Sequence, residues 1–308
     1  MNGGEQMKRK IIFRGKKYET SQVTTAYLLL IPSVFMLLFL FIIPVVQVVI
    51  MSFTNYRLTT GVMQFNGITN YLYLFADPKF SKAMINSLIF SGSLLLFDTS
   101  IALAIAFLLD SIIPFKRFFR MAFFAPVVVP IVASSLIWLW FYDPGIGPFN
   151  QILSWFGVSK LKWLYGQDTA MFSIILFTVW KGVGYNIILF LAGLQNIPES
   201  IVEAARVDGA NTSQIIRKIK IPMLAPVISF VMMMGIINSF KVFTEINVMT
   251  PNGGPLYSTA LAVSYIYEQA FTNGRMGRGA AASVLLFIVI FGFTLLQRRL
   301  SKKSLEVD

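Results

Sequence analysis

The chain has 308 residues and a net charge of +12; 56% of its residues are hydrophobic, only 13% are charged, and the mean hydropathy is +0.69. A soluble domain needs about 25% charged residues to cover its surface, so the composition excludes an ordinary soluble protein. Cysteine and histidine are absent from the sequence, which excludes a disulfide framework, a thiolate metal site and histidine-based catalysis.

Several apolar stretches are long enough to cross a membrane, since about 20 helical residues span a hydrocarbon layer of about 30 Å. Before the first of them we expect a cytoplasmic tail at residues 1–24, then one transmembrane domain over residues 25–308. A short interfacial helix is expected near residues 77–83. The chain is therefore predicted to be an all-α polytopic membrane protein with six transmembrane helices, at residues 26–53, 85–109, 121–142, 169–194, 223–248 and 279–297.

The distribution of basic residues indicates the orientation, because cytoplasmic segments of membrane proteins carry an excess of Lys and Arg. With the N-terminus inside, cytoplasmic segments hold 17 of the 26 basic residues: six in the tail, three after the second span, four after the fourth and four after the sixth. The outer loops hold seven and the spans two. Both termini are therefore predicted to be cytoplasmic, and the positive charge reflects topology, with no nucleic-acid partner.

The cytoplasmic loop at residues 195–222 is predicted to form two short helices joined at Gly209. Pro198 suits the first turn of the first helix, a left-handed glycine suits its end, and Asn211 or Thr212 can cap the second helix. This is more structure than the connection of two spans requires. The pattern fits either an ordinary helical connection or a docking surface for a soluble partner.

The same loop contains Glu203-Ala204-Ala205, then Gly209, Ile219 and Pro222, which resemble the EAA–G–I-LP motif of binding-protein-dependent ABC importer permeases. Leucine is usual in that motif where this chain has isoleucine. Other segments resemble the sugar (maltose-type) branch, and within it the first of two paired permeases. These are residues 65–71, 125–130, 191–195 and 250–255. Unlike the best-known maltose permease, the chain has six predicted spans instead of eight and no large inserted outer domain.

The resemblance implies the ABC importer permease (maltose-type) fold in a bacterial inner membrane. The chain would be the permease subunit of an ATP-driven importer for a sugar or sugar derivative, which an extracytoplasmic solute-binding protein delivers. It would work, surrounded by membrane lipid, with a second permease and two ATP-binding subunits that hold ATP and Mg²⁺. No cofactor and no enzymatic activity are expected in this chain. The implied ATPase-coupling residues are Glu203, Ala204, Ala205, Asp208, Gly209, Ile219 and Pro222.

Polar residues inside spans usually face a bundle interior or a pathway. Asn186 and Ser239 could instead bond across helices, and Lys241 could extend to the outer boundary. Asp98 could pair with Lys181, line the pathway or stay neutral; a structural role is favoured, because the family that the chain resembles often has glutamine at the aligned position. Lys181 is hypothesised to favour an anionic sugar. With the sugar-lining positions that the resemblance implies, the predicted substrate pathway comprises Thr178, Lys181, Gly182, Tyr185, Asn186, Gly235, Asn238, Ser239 and Val242.

Two other classes of function fit the sequence less well. An ion-coupled secondary carrier or channel for a small polar solute usually has inverted repeats and intramembrane acids, whereas this chain has no recognisable internal repeat and one central acid, Asp98. An intramembrane enzyme would need catalytic groups, but the spans contain no paired carboxylates. Co-purification with an ATP-hydrolysing subunit would distinguish the importer from the carrier.

Overall fold

The computed structural model describes residues 10–13, 16–111 and 115–305. Within the predicted tail, β1 (Lys10–Phe13) and β2 (Lys16–Glu19) pair antiparallel, while residues 1–9 and 14–15 of that tail lie outside the described residues. All other elements of the described chain are helices. The all-α prediction is therefore confirmed for the membrane part, and the short hairpin is an addition to it.

The first span consists of α1 (Thr20–Leu37), a π-helical turn (Leu38–Ile42) and α2 (Ile43–Ser52). The helices that follow are α3 (Thr69–Ala76), α4 (Pro78–Asp110), α5 (Lys116–Val128), α6 (Ile131–Phe141), α7 (Pro148–Trp155) and α8 (Gln167–Gln195). The second half contains α9 (Glu199–Val207), α10 (Thr212–Ile215), α11 (Ile221–Met223), α12 (Ala225–Ser239), α13 (Thr244–Met249), α14 (Ala262–Tyr267) and α15 (Met276–Leu305).

Four helices of the described chain are long and apolar enough to cross a membrane: Thr24–Ser52, Pro78–Asp110, Gln167–Gln195 and Met276–Ser301. Two bent pairs bring the number of spans to six if each pair is one span. These are α5 with α6, bent by 100°, and Thr212–Met223 with α12, bent by 64°. The six predicted spans thus correspond to these elements, but the third and fifth are broken.

Two predicted boundaries are wrong. The expected interfacial helix near residues 77–83 is the first part of α4, which begins at Pro78 because Asp77 Oδ1 accepts a 2.9 Å hydrogen bond from the Lys79 amide and caps the helix. The short separate helix is α3, immediately before it. The fifth span, predicted to reach residue 248, ends at Ser239, and α13 follows as a separate helix.

Prolines explain the break in the third span. Val129, which precedes Pro130, is extended, as expected for a residue before proline. Pro130 has no N–H, so it cannot donate to the carbonyl oxygen of Pro126 four residues earlier. That oxygen receives only a 3.3 Å bond from the Val129 amide within its own segment. The helix therefore stops at Val128 and restarts in a new direction at Ile131.

The fourth span, α8, is the centre of the packing. It contacts α4, α5 and α12, and it buries Ile174, Phe177, Ile187 and Phe190. At Gly184 the backbones of α8 and α5 approach so closely that a Cβ would lie 2.0 Å from the Phe123 carbonyl oxygen. The first span differs, because none of the residues in its most apolar 18-residue stretch is buried by the rest of the described chain. Such a face suits lipid or another protein.

Candidate functional site

A cavity of about 210 Å³ lies between α4, α8 and α12. The polar positions of α8 recur every three or four residues and so point to one side of the helix. Eight of the nine predicted pathway residues line this cavity: Thr178, Gly182, Tyr185, Asn186, Gly235, Asn238, Ser239 and Val242. From α4, Asp98 lines the cavity, as one of its predicted alternatives had it, and Leu95 and Thr99, which share its helical face, line it without having been predicted.

Asp98 is the charged group of the cavity wall. Asn186 Nδ2 donates a 2.6 Å hydrogen bond to Asp98 Oδ2, and Asp98 Oδ1 is buried without a partner among the described residues. Asp98 thus lies in the cavity wall, one of the predicted alternatives, and its partner is Asn186 and not Lys181. Asn186 does bond across helices, whereas Ser239 Oγ donates within its own helix, to the Ile236 carbonyl at 2.9 Å.

Lys181 is not among the residues that line the cavity. Its Nζ donates hydrogen bonds to the carbonyl oxygens of Pro126 and Val127, at 2.6 Å and 3.1 Å. These carbonyls belong to the broken end of α5, where helical donors are missing. The hypothesis that Lys181 favours an anionic solute loses its basis, since the amine is used by the backbone and the cavity wall presents an acid instead.

The connection between the fourth and fifth spans begins with α9. Gly209 ends this helix in a left-handed conformation, with φ +84°. The Gly209 amide donates to the Arg206 carbonyl at 3.0 Å and the Ala210 amide to the Ala205 carbonyl at 2.9 Å, which is the Schellman arrangement. No atom lies within 4 Å of a Cβ built on Gly209. The glycine is therefore required by backbone conformation and not by space.

The second half of the connection starts at a capping box. Asn211 Oδ1 accepts from the Gln214 amide at 2.9 Å, and Gln214 Oε1 accepts from the Asn211 amide at 2.8 Å. Asn211, one of the two predicted caps, is thus the one used. The helix continues through a π-helical turn (Ile216–Lys220) to α11. Lys220 Nζ pairs with Asp110 Oδ2, which anchors the connection to the end of α4.

We name residues 195–222 the coupling hairpin, after the role that the sequence resemblance implies. Its first helix buries Val202 against the rest of the chain and exposes Glu203, Ala204 and Val207, the last of which is 87% exposed. A cleft beside it is lined by Asp208, Gly209, Ala210, Gln214, Lys218 and Ile219. Val207 was not among the predicted coupling residues, although it lies four residues after Glu203 and therefore on the same helical face.

The sequence matches the model of one protein family, described as the binding-protein-dependent transport system inner membrane component, over residues 99–305. It is 35% identical over 283 residues to the arabinooligosaccharides transport system permease protein AraP of Bacillus subtilis, covering 91% of this chain and 90% of that protein. It is 31% identical to the sn-glycerol-3-phosphate transport system permease protein UgpA of Pectobacterium atrosepticum, covering 91% and 95%. With the multiple sugar-binding transport system permease protein MsmF of Streptococcus mutans it shares 35% identity, covering 89% and 94%.

The fold is similar to that of a chain in the crystal structure of a bacterial ABC transporter involved in the import of the acidic polysaccharide alginate. The TM-score is 0.80 at 24% identity, covering 92% of this chain and 96% of that chain. A second structure of a bacterial alginate transporter, in complex with an alginate pentasaccharide-bound periplasmic protein, gives a TM-score of 0.81 at 22% identity and covers 93% and 96%. Both similarities extend over nearly the whole chain.

Proposed function

Because this chain belongs to the binding-protein-dependent transport system inner membrane components, we propose that it forms half of the membrane pathway of an ATP-driven sugar importer. As a member of that family it is a membrane permease component and is not itself the catalytic subunit. Its relatives are named for transport of arabinooligosaccharides, several sugars and sn-glycerol-3-phosphate, which supports a sugar or sugar derivative as the solute. Family membership also favours this function over the secondary carrier or channel.

The cavity between α4, α8 and α12 is the proposed solute pathway. Its wall offers the Tyr185 ring, which is 54% exposed, together with the side-chain groups of Asn238 and of the Asp98–Asn186 pair. Aromatic faces bind sugar rings, and amide and carboxylate groups bind hydroxyls. An acid in the wall suits uncharged solutes, because a carboxylate repels an anion.

The observation that carries the proposal is the coupling hairpin. It is held by a capping box, a Schellman turn and an ion pair to α4, and it exposes Val207 and Ala204 at its tip. We propose that this tip inserts into a separate ATP-hydrolysing subunit and moves with it. The residues that carry this role are Glu203, Ala204, Ala205, Asp208, Gly209, Ile219 and Pro222, together with Val207.

The remaining parts of the importer follow from this role. A second permease of similar fold would complete the pathway, and the uncovered apolar face of the first span offers one surface for it or for lipid. Two ATP-binding subunits would hold ATP and Mg²⁺ on the cytoplasmic side, with both termini of this chain. An external solute-binding protein would deliver the solute on the opposite side of a bacterial inner membrane.

The test is reconstitution of the assembled importer in liposomes, with solute-stimulated ATP hydrolysis and uptake as readouts. Val207→Glu and Glu203→Lys should abolish co-purification of the ATPase subunit and uptake, because each places a charge in the proposed contact. Val158→Glu, at an exposed valine outside the hairpin, is the matched control and should leave both intact. Uptake by this chain alone, without an ATPase subunit, would refute the proposal.

A further inference from the structure

A second cavity, of about 140 Å³, lies where the chain leaves the first span and begins the last. Three arginines line it: Arg57, Arg275 and Arg278. The lining contains no Asp or Glu, and no carboxylate in the described part of the chain lies within salt-bridge distance of these arginines. We name this cavity the arginine pocket. Three arginines without a carboxylate partner in the described chain favour the binding of an anion.

Arg278 is the arginine of the pocket that carries a buried hydrogen-bond donor without a partner in the described part of the chain. Its guanidinium lies 3.5 Å from the centre of the Tyr73 ring, which fixes its plane. Its Nη1 is buried and has no hydrogen-bond partner among the described residues. The positive charges of Arg275 and Arg57 act on it unfavourably. A buried donor without a partner beside two like charges is costly, and a bound anion would remove that cost.

The walls of the pocket are held by backbone contacts. Asn70 Nδ2 donates to the carbonyl oxygens of Ser52 and Thr54, at 2.9 Å and 2.8 Å. The Gly277 amide donates to the Tyr56 carbonyl at 3.1 Å. A Cβ on Gly277 would lie 2.1 Å from the Thr54 carbonyl oxygen, so only glycine permits this contact. These contacts hold the start of α15, which carries Arg278, against the end of the first span, and Arg57 and Arg275 lie on the irregular segments beside it.

We propose that the arginine pocket binds one oxyanion, a phosphate or carboxylate group. The planar guanidinium matches such groups in a bidentate manner. The pocket joins the ends of two spans, which places it at the level of lipid headgroups. A phospholipid headgroup and a free anion would present the same chemistry to it.

The experiment measures anion affinity of the full chain with inorganic phosphate as the probe in detergent, and with phosphatidylglycerol nanodiscs as the lipid probe. Binding is read from the rise in the thermal unfolding midpoint and from lipid retained in native mass spectrometry. Arg278→Gln should weaken binding about tenfold to a hundredfold, because a charge-assisted hydrogen bond is lost. Arg275→Gln is the second variant, should Arg278→Gln fail to fold, and Lys160→Gln, at an exposed outer-loop lysine, is the control.

Stabilisation by phosphate that the arginine variants lose and Lys160→Gln keeps would establish a site for free anions. Retention of phosphatidylglycerol that follows the same variants, without competition by phosphate, would establish a headgroup site. Equal responses of wild type and arginine variants to both probes would overturn the proposal. It would also be overturned if neither probe bound and the variants instead lost association with an external binding protein, which would assign the arginines to protein docking.

Discussion

Lys181 Nζ lies 2.6 Å from the carbonyl oxygen of Pro126, so a lysine of the fourth span supplies the donor that Pro130 cannot supply. The lysine also places its charge at the carbonyl end of α5, where a cation is favoured by the helix dipole. This relationship explains a charged residue inside a span without any contact to solute. Lys181 fastens the broken third span to the central helix of the bundle.

We expect Lys181→Met to lower the free energy of unfolding by about 1–3 kcal/mol, because it leaves the Pro126 carbonyl without its strong donor. The loss should appear as a lower thermal unfolding midpoint in detergent. Lys181→Arg should recover part of it, and Lys241→Met, at an exposed lysine, is the control. An unchanged midpoint combined with an altered preference for charged solutes would contradict the structural role and return Lys181 to the pathway.

The contact between α8 and α5 depends on Gly184. Gly184→Ala should destabilise the protein by about 1–3 kcal/mol, because the added Cβ would lie 2.0 Å from the Phe123 carbonyl oxygen and the helices would have to separate. Gly92→Ala is the matched control, since no atom lies within 4 Å of its Cβ position in α4. That substitution should be neutral or stabilise by up to about 1 kcal/mol, as alanine favours helix. Equal effects of both on the unfolding midpoint would exclude a close helix contact.

The hydrogen bond between Asn186 and Asp98 can be measured by a double-mutant cycle. With Asp98→Ala and Asn186→Ala, the coupling energy for stability should be about 1.5–3 kcal/mol, the range for a hydrogen bond to a charged group. The Asp98→Ala variant should also reduce solute uptake, because it removes an acceptor from the cavity wall. A coupling energy near zero would mean that the 2.6 Å contact contributes nothing to folding.

The number of membrane-spanning segments can be predicted from the sequence because the length of an apolar helix follows from the thickness of a bilayer. The breaks at Pro130 and at Leu224 are harder to predict, since proline is common in membrane helices and neighbouring side chains decide whether the helix bends or separates. The contacts of Lys181 are likewise hard to predict from the sequence. Its position on a polar helical face indicates the interior of the bundle, but only the direction of the side chain shows that it meets backbone carbonyls instead of the cavity.

In the coupling hairpin, by contrast, most of the local structure can be predicted from the sequence. Its turn chemistry is local, so Gly209 and Asn211 could be identified as a helix end and a cap from residue type and spacing. The partner of Lys220 could not be identified in this way, because Asp110 is far away in sequence and lies at the end of another span. The arginine pocket was missed for the same reason, as Arg57 and Arg278 meet only when the first and last spans pack together.

The ion pair between Lys220 and Asp110 connects the coupling hairpin to the second span, and its two side chains are only 21% and 22% exposed. Motion of the hairpin should therefore be transmitted to α4, which carries Asp98 in the cavity wall. We expect Lys220→Asp to weaken the dependence of ATP hydrolysis on solute in the reconstituted importer, because repulsion would release the hairpin. Stability should fall by about 1 kcal/mol or somewhat more, since partial burial raises the effect above that of an exposed pair.

The charge-reversed double variant, Lys220→Asp with Asp110→Lys, should restore both properties because it restores the attraction between the same two positions. Lys218→Asp is the control, since Lys218 is exposed on the same turn and forms no ion pair among the described residues. If Lys218→Asp and Lys220→Asp had equal effects, the change would reflect the hairpin's net charge at its contact with the ATPase subunit. Recovery in the double variant alone would show that the link runs through Asp110, and hence through α4 to the cavity.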